Sequence, residues 1–193
     1  MNLIWNINNN VSIYLNNFVV NNHLEKIIWI FSDAPIFFLP IFLLTVWFYY
    51  TFKEKNIKEK ENILFIFYSV VLAILLNSFI KIFIQEKRPD TLITPILQHV
   101  PDNSFPSDHA TVSFAFLFAL YSAGYKKTFW LFLPFVIIMN FSRIAWWLHW
   151  FFDIFVWIIL GLIAVCIVFT NTKTKFFTKI NEFILKLTSY IKL

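Results

Sequence analysis

The stretch that decides the fold is residues 149–170, HWFFDIFVWIILGLIAVCIVFT. From Trp150 to Thr170 it carries one charged residue, Asp153. It also reaches the roughly 20 apolar residues that a helix needs to cross the hydrocarbon core of a bilayer. Four further stretches read the same way, at 27–50, 63–84, 110–125 and 129–144, the third of them short. Pro35, Pro40 and Pro134 bend or offset their helices without forbidding them, because neighbours in a bundle satisfy the freed carbonyls. The expectation is an all-α integral membrane bundle of about five transmembrane helices.

The composition agrees. Of 193 residues, 59% are hydrophobic, 21% aromatic and only 14% charged, against about 25% charged in a soluble domain. The mean hydropathy is +0.68. A soluble globule is not expected, and neither is a nucleic-acid partner, because the lysines behind the net charge of +5 are split between apolar runs instead of sharing one face. Two distant glycines, Gly124 and Gly161, make no phosphate cradle or dinucleotide fingerprint. The lone Cys166 rules out disulfides and cysteine-based metal sites within one chain. With no internal repeat and no long linker, residues 1–193 read as one domain.

Orientation follows from the basic residues. Lys53, Lys55, Lys58 and Lys60 follow the first span, Lys126 and Lys127 the third, and Lys173, Lys175, Lys179, Lys186 and Lys192 the last. Five spans put all three groups on one side, which the positive-inside rule makes cytoplasmic. The expected location is the cytoplasmic (inner) membrane, with residues 85–107, 143–149 and the N-terminus facing out.

Within residues 1–26, Ile4, Ile7, Val11, Tyr14, Leu15 and Phe18 recur at helical spacing among asparagines, as in an amphipathic helix lying in the outer interface. A poorly ordered leader is the plainer alternative. A signal peptide is disfavoured, since the first basic residue is Lys26. Residues 27–171 form the membrane core. Within the tail, 172–193, Phe176, Ile180, Phe183, Leu187 and Ile191 share one face among lysines, as in a helix lying on the anionic leaflet.

The remaining polar residues collect on the outer side. Lys81 and Arg88 are seven apart, about two helical turns, and Pro89 biases Arg88 to end the helix. Alone, Lys81 reads rather as a snorkelling lysine. Phe105-Pro106-Ser107-Asp108-His109 precedes the third span. Ser107 is a plausible N-cap there, and the free N–H groups beyond it suit a phosphate, although a simple capped helix start has the same appearance. In the third cluster, Ser142, Arg143, His149 and Asp153, the last two are four apart on one helical face. A carboxylate holding one imidazole nitrogen leaves the other free as a nucleophile. Asp153 inside an apolar run is a functional residue by default. Three cations, two histidines and a helix N-terminus together point to phosphoryl transfer through a phosphohistidine.

Lys81, six residues, Arg88-Pro89; then Pro106-Ser107-Asp108-His109; then Ser142-Arg143, five residues, His149, three residues, Asp153: this order resembles the three-part signature of the type 2 phosphatidic acid phosphatase superfamily, over residues 81–153. The resemblance implies a helical membrane bundle in which His149 attacks phosphorus, Asp153 orients it and His109 protonates the leaving oxygen. It further implies that Lys81, Arg88, Arg143 and Ser107 hold the phosphate, and that no metal or other cofactor is needed. Many relatives have Gly two residues before the nucleophile and Pro two after, where this chain has Trp147 and Phe151. With Trp146 and Trp150 they surround His149 with bulk that would narrow the pocket, bind a lipid chain or mark a different substrate.

The second motif and the small size are similar to those of bacterial undecaprenyl-diphosphate phosphatases. That implies hydrolysis of undecaprenyl diphosphate to undecaprenyl phosphate in recycling of the cell-wall lipid carrier. A phosphatidylglycerophosphate, phosphatidic acid or lipid A phosphatase shares the same reactive residues. A carrier or flippase that only binds a lipid phosphate is the reading from another class. His23 and His99 receive no role.

Overall fold

The computed structural model of the chain describes residues 3–89 and 104–190. His99, Ile191, Lys192 and the middle of the 85–107 segment lie outside them. The described residues form seven α-helices: α1 (Leu3–Asn21), α2 (Glu25–Phe52), α3 (Ile57–Phe83), α4 (Asp108–Ser122), α5 (Lys126–Ala145), α6 (Phe151–Asn171) and α7 (Lys175–Tyr190). The all-helical membrane bundle is as expected. The proline positions bear out the reading of the sequence, since Pro35, Pro40 and Pro134 all lie inside unbroken helices.

Four helices, α2, α3, α5 and α6, are long and apolar enough to cross a membrane. The fifth expected span, α4, has 15 residues. At about 1.5 Å per residue it covers roughly 22 Å, less than the ~30 Å hydrocarbon core. It stays helical because it is the central element, enclosed by α2, α3, α5 and α6, with Ala110, Ala115, Phe116, Leu117, Ala119 and Leu120 fully buried. Small residues let the partners approach closely. A Cβ on Gly161 of α6 would stand 2.8 Å from the backbone nitrogen of Ala115.

The lysine-rich turns gather at one end. There the Tyr125 hydroxyl donates to Glu59, Lys60 lies 4.6 Å from the Trp47 ring centroid, and Tyr68 of α3 donates to Asn181 of α7 at 2.9 Å. α7 has no buried residue, and Phe176, Phe183 and Leu187 remain exposed, as expected of an amphipathic tail. α1 is a helix too, but its packing differs from the reading of its sequence. Asn8 and Ser12 face the protein and are buried, while Ile4, Tyr14 and Phe18 are exposed. The periodic apolar residues divide, Val11 and Leu15 packing against the core while Ile4, Tyr14 and Phe18 face outward, and periodicity is blind to an asparagine that turns inward.

Candidate active site

Because α2 to α6 alternate in direction, one end of the bundle collects the start of α2, the C-termini of α3 and α5 and the N-termini of α4 and α6. All seven candidate residues are found there. Ser107 caps α4, its hydroxyl accepting from the Ala110 N–H. Lys81, in the last turn of α3, is ion-paired at 2.5 Å with Asp108 in the first turn of α4. Asn77 also donates to Asp108 and accepts from Thr111 at 3.0 Å. Asp108 thus places the Lys81 ammonium beside the α4 N-terminus. Sequence reading had given neither Asp108 nor Asn77 a role.

His149 lies in the short junction between α5 and α6. α5 ends with the Leu148 N–H bonded to the Arg143 carbonyl and the Trp147 N–H to the Ile144 carbonyl, both at 3.0 Å. These two bonds make a Schellman motif, whose first residue past the cap adopts a left-handed backbone and is usually glycine. Here it is Trp147, with φ of +61°. This chain fills a position that favours glycine with a strained tryptophan. Trp146, Trp147 and Trp150 are all buried, and the Trp150 indole donates to the Lys87 carbonyl at 3.1 Å.

The contact expected between His149 and Asp153 is replaced by an indirect one. His149 Nδ1 is 2.7 Å from the Ser104 carbonyl oxygen and 4.0 Å from the Asp153 carboxylate. Asp153 instead accepts from the Ser104 hydroxyl and, at 2.8 Å, from the Trp150 N–H at the start of α6. The first turn of a helix leaves its amides without partners, and a carboxylate is the natural acceptor there. Ser104, which sequence reading missed, therefore connects the two residues. A carbonyl oxygen only accepts, so the proton of a neutral imidazole sits on Nδ1 and Nε2 keeps its lone pair. Burial, then the charges of Arg143 and Arg88, hold the His149 imidazole well below the usual histidine range.

Arg88 is buried and donates to the Leu148 carbonyl at 2.7 Å, next to His149 in sequence. Arg143 and His109 meet on a further residue that sequence reading passed over. Asp33 of α2 stands 2.5 Å from an Arg143 guanidinium nitrogen and 3.0 Å from His109 Nε2. An ionised carboxylate accepts hydrogen bonds only, so this contact requires a proton on Nε2. The signal was available, because Asp33 is a carboxylate inside an apolar span, as Asp153 is.

A groove of about 480 Å³ opens between α2 and α5, lined by residues that include Phe31, Ala34, Phe38, Phe135 and Met139. Ser113 is its one polar lining residue. Its lining includes Phe31 and Ala34, two residues before and one after Asp33 along α2.

The family model of the PAP2 superfamily matches residues 62–177. The chain belongs to that superfamily. It is a multi-pass membrane phosphatase of the PAP2 type. It is similar to the bacitracin transport permease protein BcrC of Bacillus licheniformis, with 28% identity over 76% of this chain and 70% of that protein. It is also similar to the undecaprenyl-diphosphatase BcrC of Bacillus subtilis, at 26% identity over 64% of this chain and 62% of the relative. The fold matches that of a PAP2-type phosphatidylglycerolphosphate phosphatase from Bacillus subtilis with a TM-score of 0.63 and 20% identity, covering 91% of this chain and 90% of that one. It also matches Aquifex aeolicus LpxE with a TM-score of 0.55 and 23% identity, covering 84% and 94%.

Proposed function

We propose that this chain hydrolyses a polyprenyl diphosphate, undecaprenyl diphosphate in particular, at the outer surface of the cytoplasmic membrane. The observation that carries the reading is the His149 environment: Nδ1 on a carbonyl oxygen at 2.7 Å, hence a lone pair on Nε2, within reach of the fields of Arg143 and Arg88. Nε2 attacks the terminal phosphorus and a P–N bond forms. The P–O bond to the bridging oxygen breaks, and His109, as an imidazolium whose Nε2–H stays with Asp33, gives that oxygen its Nδ1 proton, so polyprenyl phosphate departs. Water then attacks the phosphohistidine, the P–N bond breaks and phosphate leaves, while His109 recovers a proton from the water. Arg88, Arg143, Lys81 and the α4 N-terminus capped by Ser107 stabilise the charge on the transferring group. Asp153 orients His149 through Ser104.

The groove between α2 and α5 fits the hydrocarbon chain of such a substrate, and the similarity to the undecaprenyl-diphosphatase BcrC of Bacillus subtilis agrees with a prenyl diphosphate. The lysine-rich turns support an outward site.

The test is phosphate release by the purified protein from undecaprenyl diphosphate, phosphatidylglycerophosphate and phosphatidic acid, with EDTA present. Preference for the prenyl diphosphate, unchanged by chelator and abolished in His149→Ala, is the expected result. A preference for either glycerolipid overturns the substrate. Turnover by His149→Ala overturns the nucleophile, and binding without release by the wild type favours a carrier.

A further inference from the structure

The asparagines of α1 that turn inward carry an inference beyond the reaction itself. Amides taken out of water are costly unless they are hydrogen-bonded, and the buried Asn8 and half-buried Asn16 bond at the two ends of the His149 junction. Asn8 Oδ1 accepts from the Phe152 N–H at 3.0 Å. Asn16 Nδ2 donates to the Ala145 carbonyl at 2.8 Å. The first amides and the last carbonyls of a helix lack partners within their own helix. α1 thus supplies, from outside, one cap to the start of α6 and one to the end of α5. The Trp5 ring adds a third contact, 5.1 Å from that of Trp150. Between the two caps lie the left-handed Trp147, the Leu148 carbonyl that holds Arg88, and His149. A junction with a strained backbone needs surroundings that over-determine it.

We propose that α1 is a strap that sets the position of the His149 junction, with Asn8 and Asn16 as its positioning residues. The kinetic side of the idea rests on the lipid phosphatase reading; the structural side does not.

Opposite polarity at the two contacts makes one substitution predict two results. Asn8→Asp keeps an acceptor and puts a carboxylate at a helix N-terminus, where it is favoured. Asn16→Asp replaces the donor with an acceptor facing a carbonyl at a helix C-terminus, where a carboxylate is disfavoured. In the full-length protein, Asn8→Ala and Asn16→Asp are expected to lower kcat by about tenfold, the scale of one lost hydrogen bond. KM and the detergent melting temperature should stay close to wild type, and Asn8→Asp should retain kcat. Hydrogen exchange at the Phe152 amide should accelerate in Asn8→Ala and stay slow in Asn8→Asp.

Unchanged kcat in Asn8→Ala and Asn16→Asp overturns the strap. So does a loss that follows the folded fraction, with melting temperature and kcat falling together, or an Asn8→Asp as damaged as Asn8→Ala. Should the wild type hydrolyse no lipid in the panel, the proposed function fails, and the exchange experiment decides the strap alone: faster Phe152 exchange in Asn8→Ala upholds it, unchanged exchange overturns it.

Discussion

Among single residues, Asp33 has the widest reach, since one oxygen serves both His109 and Arg143. Asp33→Asn keeps the shape and removes the charge. It is expected to lower kcat by roughly 10- to 100-fold, less than His109→Ala, which removes a general acid worth about 10²- to 10⁴-fold. An Asp33→Asn enzyme with wild-type kcat would show that the carboxylate is only a structural tie. His149 predicts a pH effect. Burial, assisted by Arg143 and Arg88, lowers its pKa, so the base form persists below the ordinary histidine value of about 6.5. The acid limb of kcat/KM is therefore expected below that pH, and Arg88→Gln should shift it upward. The unfolded chain binds the proton more readily than the folded one, so this group makes stability fall as pH drops below about 6.5. A limb that stays fixed in Arg88→Gln belongs to another group. Legibility at this scale was uneven. His109, His149, Asp153 and the cations could be read because their spacing is local. Ser104 could not, because its part is played by a backbone carbonyl that any residue would supply. Asp33 could have been found by the cost argument applied to Asp153, but lay far along the chain from every motif.

For the elements, hydropathy located every helix to within a few residues, with one informative difference at α3. Its start lies ahead of the apolar run because Asn56 caps it, accepting from the Glu59 N–H at 3.3 Å. What hydropathy cannot show is how closely two helices approach. The contact of α4 with α6 depends on Gly161, where a methyl group would meet backbone instead of a side chain that can move aside. Gly161→Ala is expected to destabilise the bundle by about 1–3 kcal/mol, the usual cost of overpacking. It should also lower turnover, since α4 and α6 carry His109 and Asp153. A detergent melting curve unchanged from wild type would mean that the helices separate without loss.

For the whole molecule, the scarce cations divide into two populations at opposite ends of the bundle. The turns with Lys53–Lys60, Lys126 and Lys127 mark one end, while Lys81, Arg88 and Arg143 mark the other. In a Cys166→Ser background, a cysteine at Lys126 is expected to resist a membrane-impermeant maleimide added outside intact cells. One at Gln85 is expected to react. The reverse pattern would turn the site towards the cytoplasm and remove the argument for an outer-surface substrate.

The shortness of α4 has a consequence for how substrates arrive. At about 1.5 Å per residue its 15 residues cover about 22 Å, some 8 Å less than the ~30 Å hydrocarbon layer. With its lysine-marked end at one water boundary, His109 in its first turn would meet a head group below the opposite boundary, brought there by a lipid whose tail never leaves the leaflet. A phosphate ester dissolved in water would have no such anchor, and the mismatch in length alone would favour lipids.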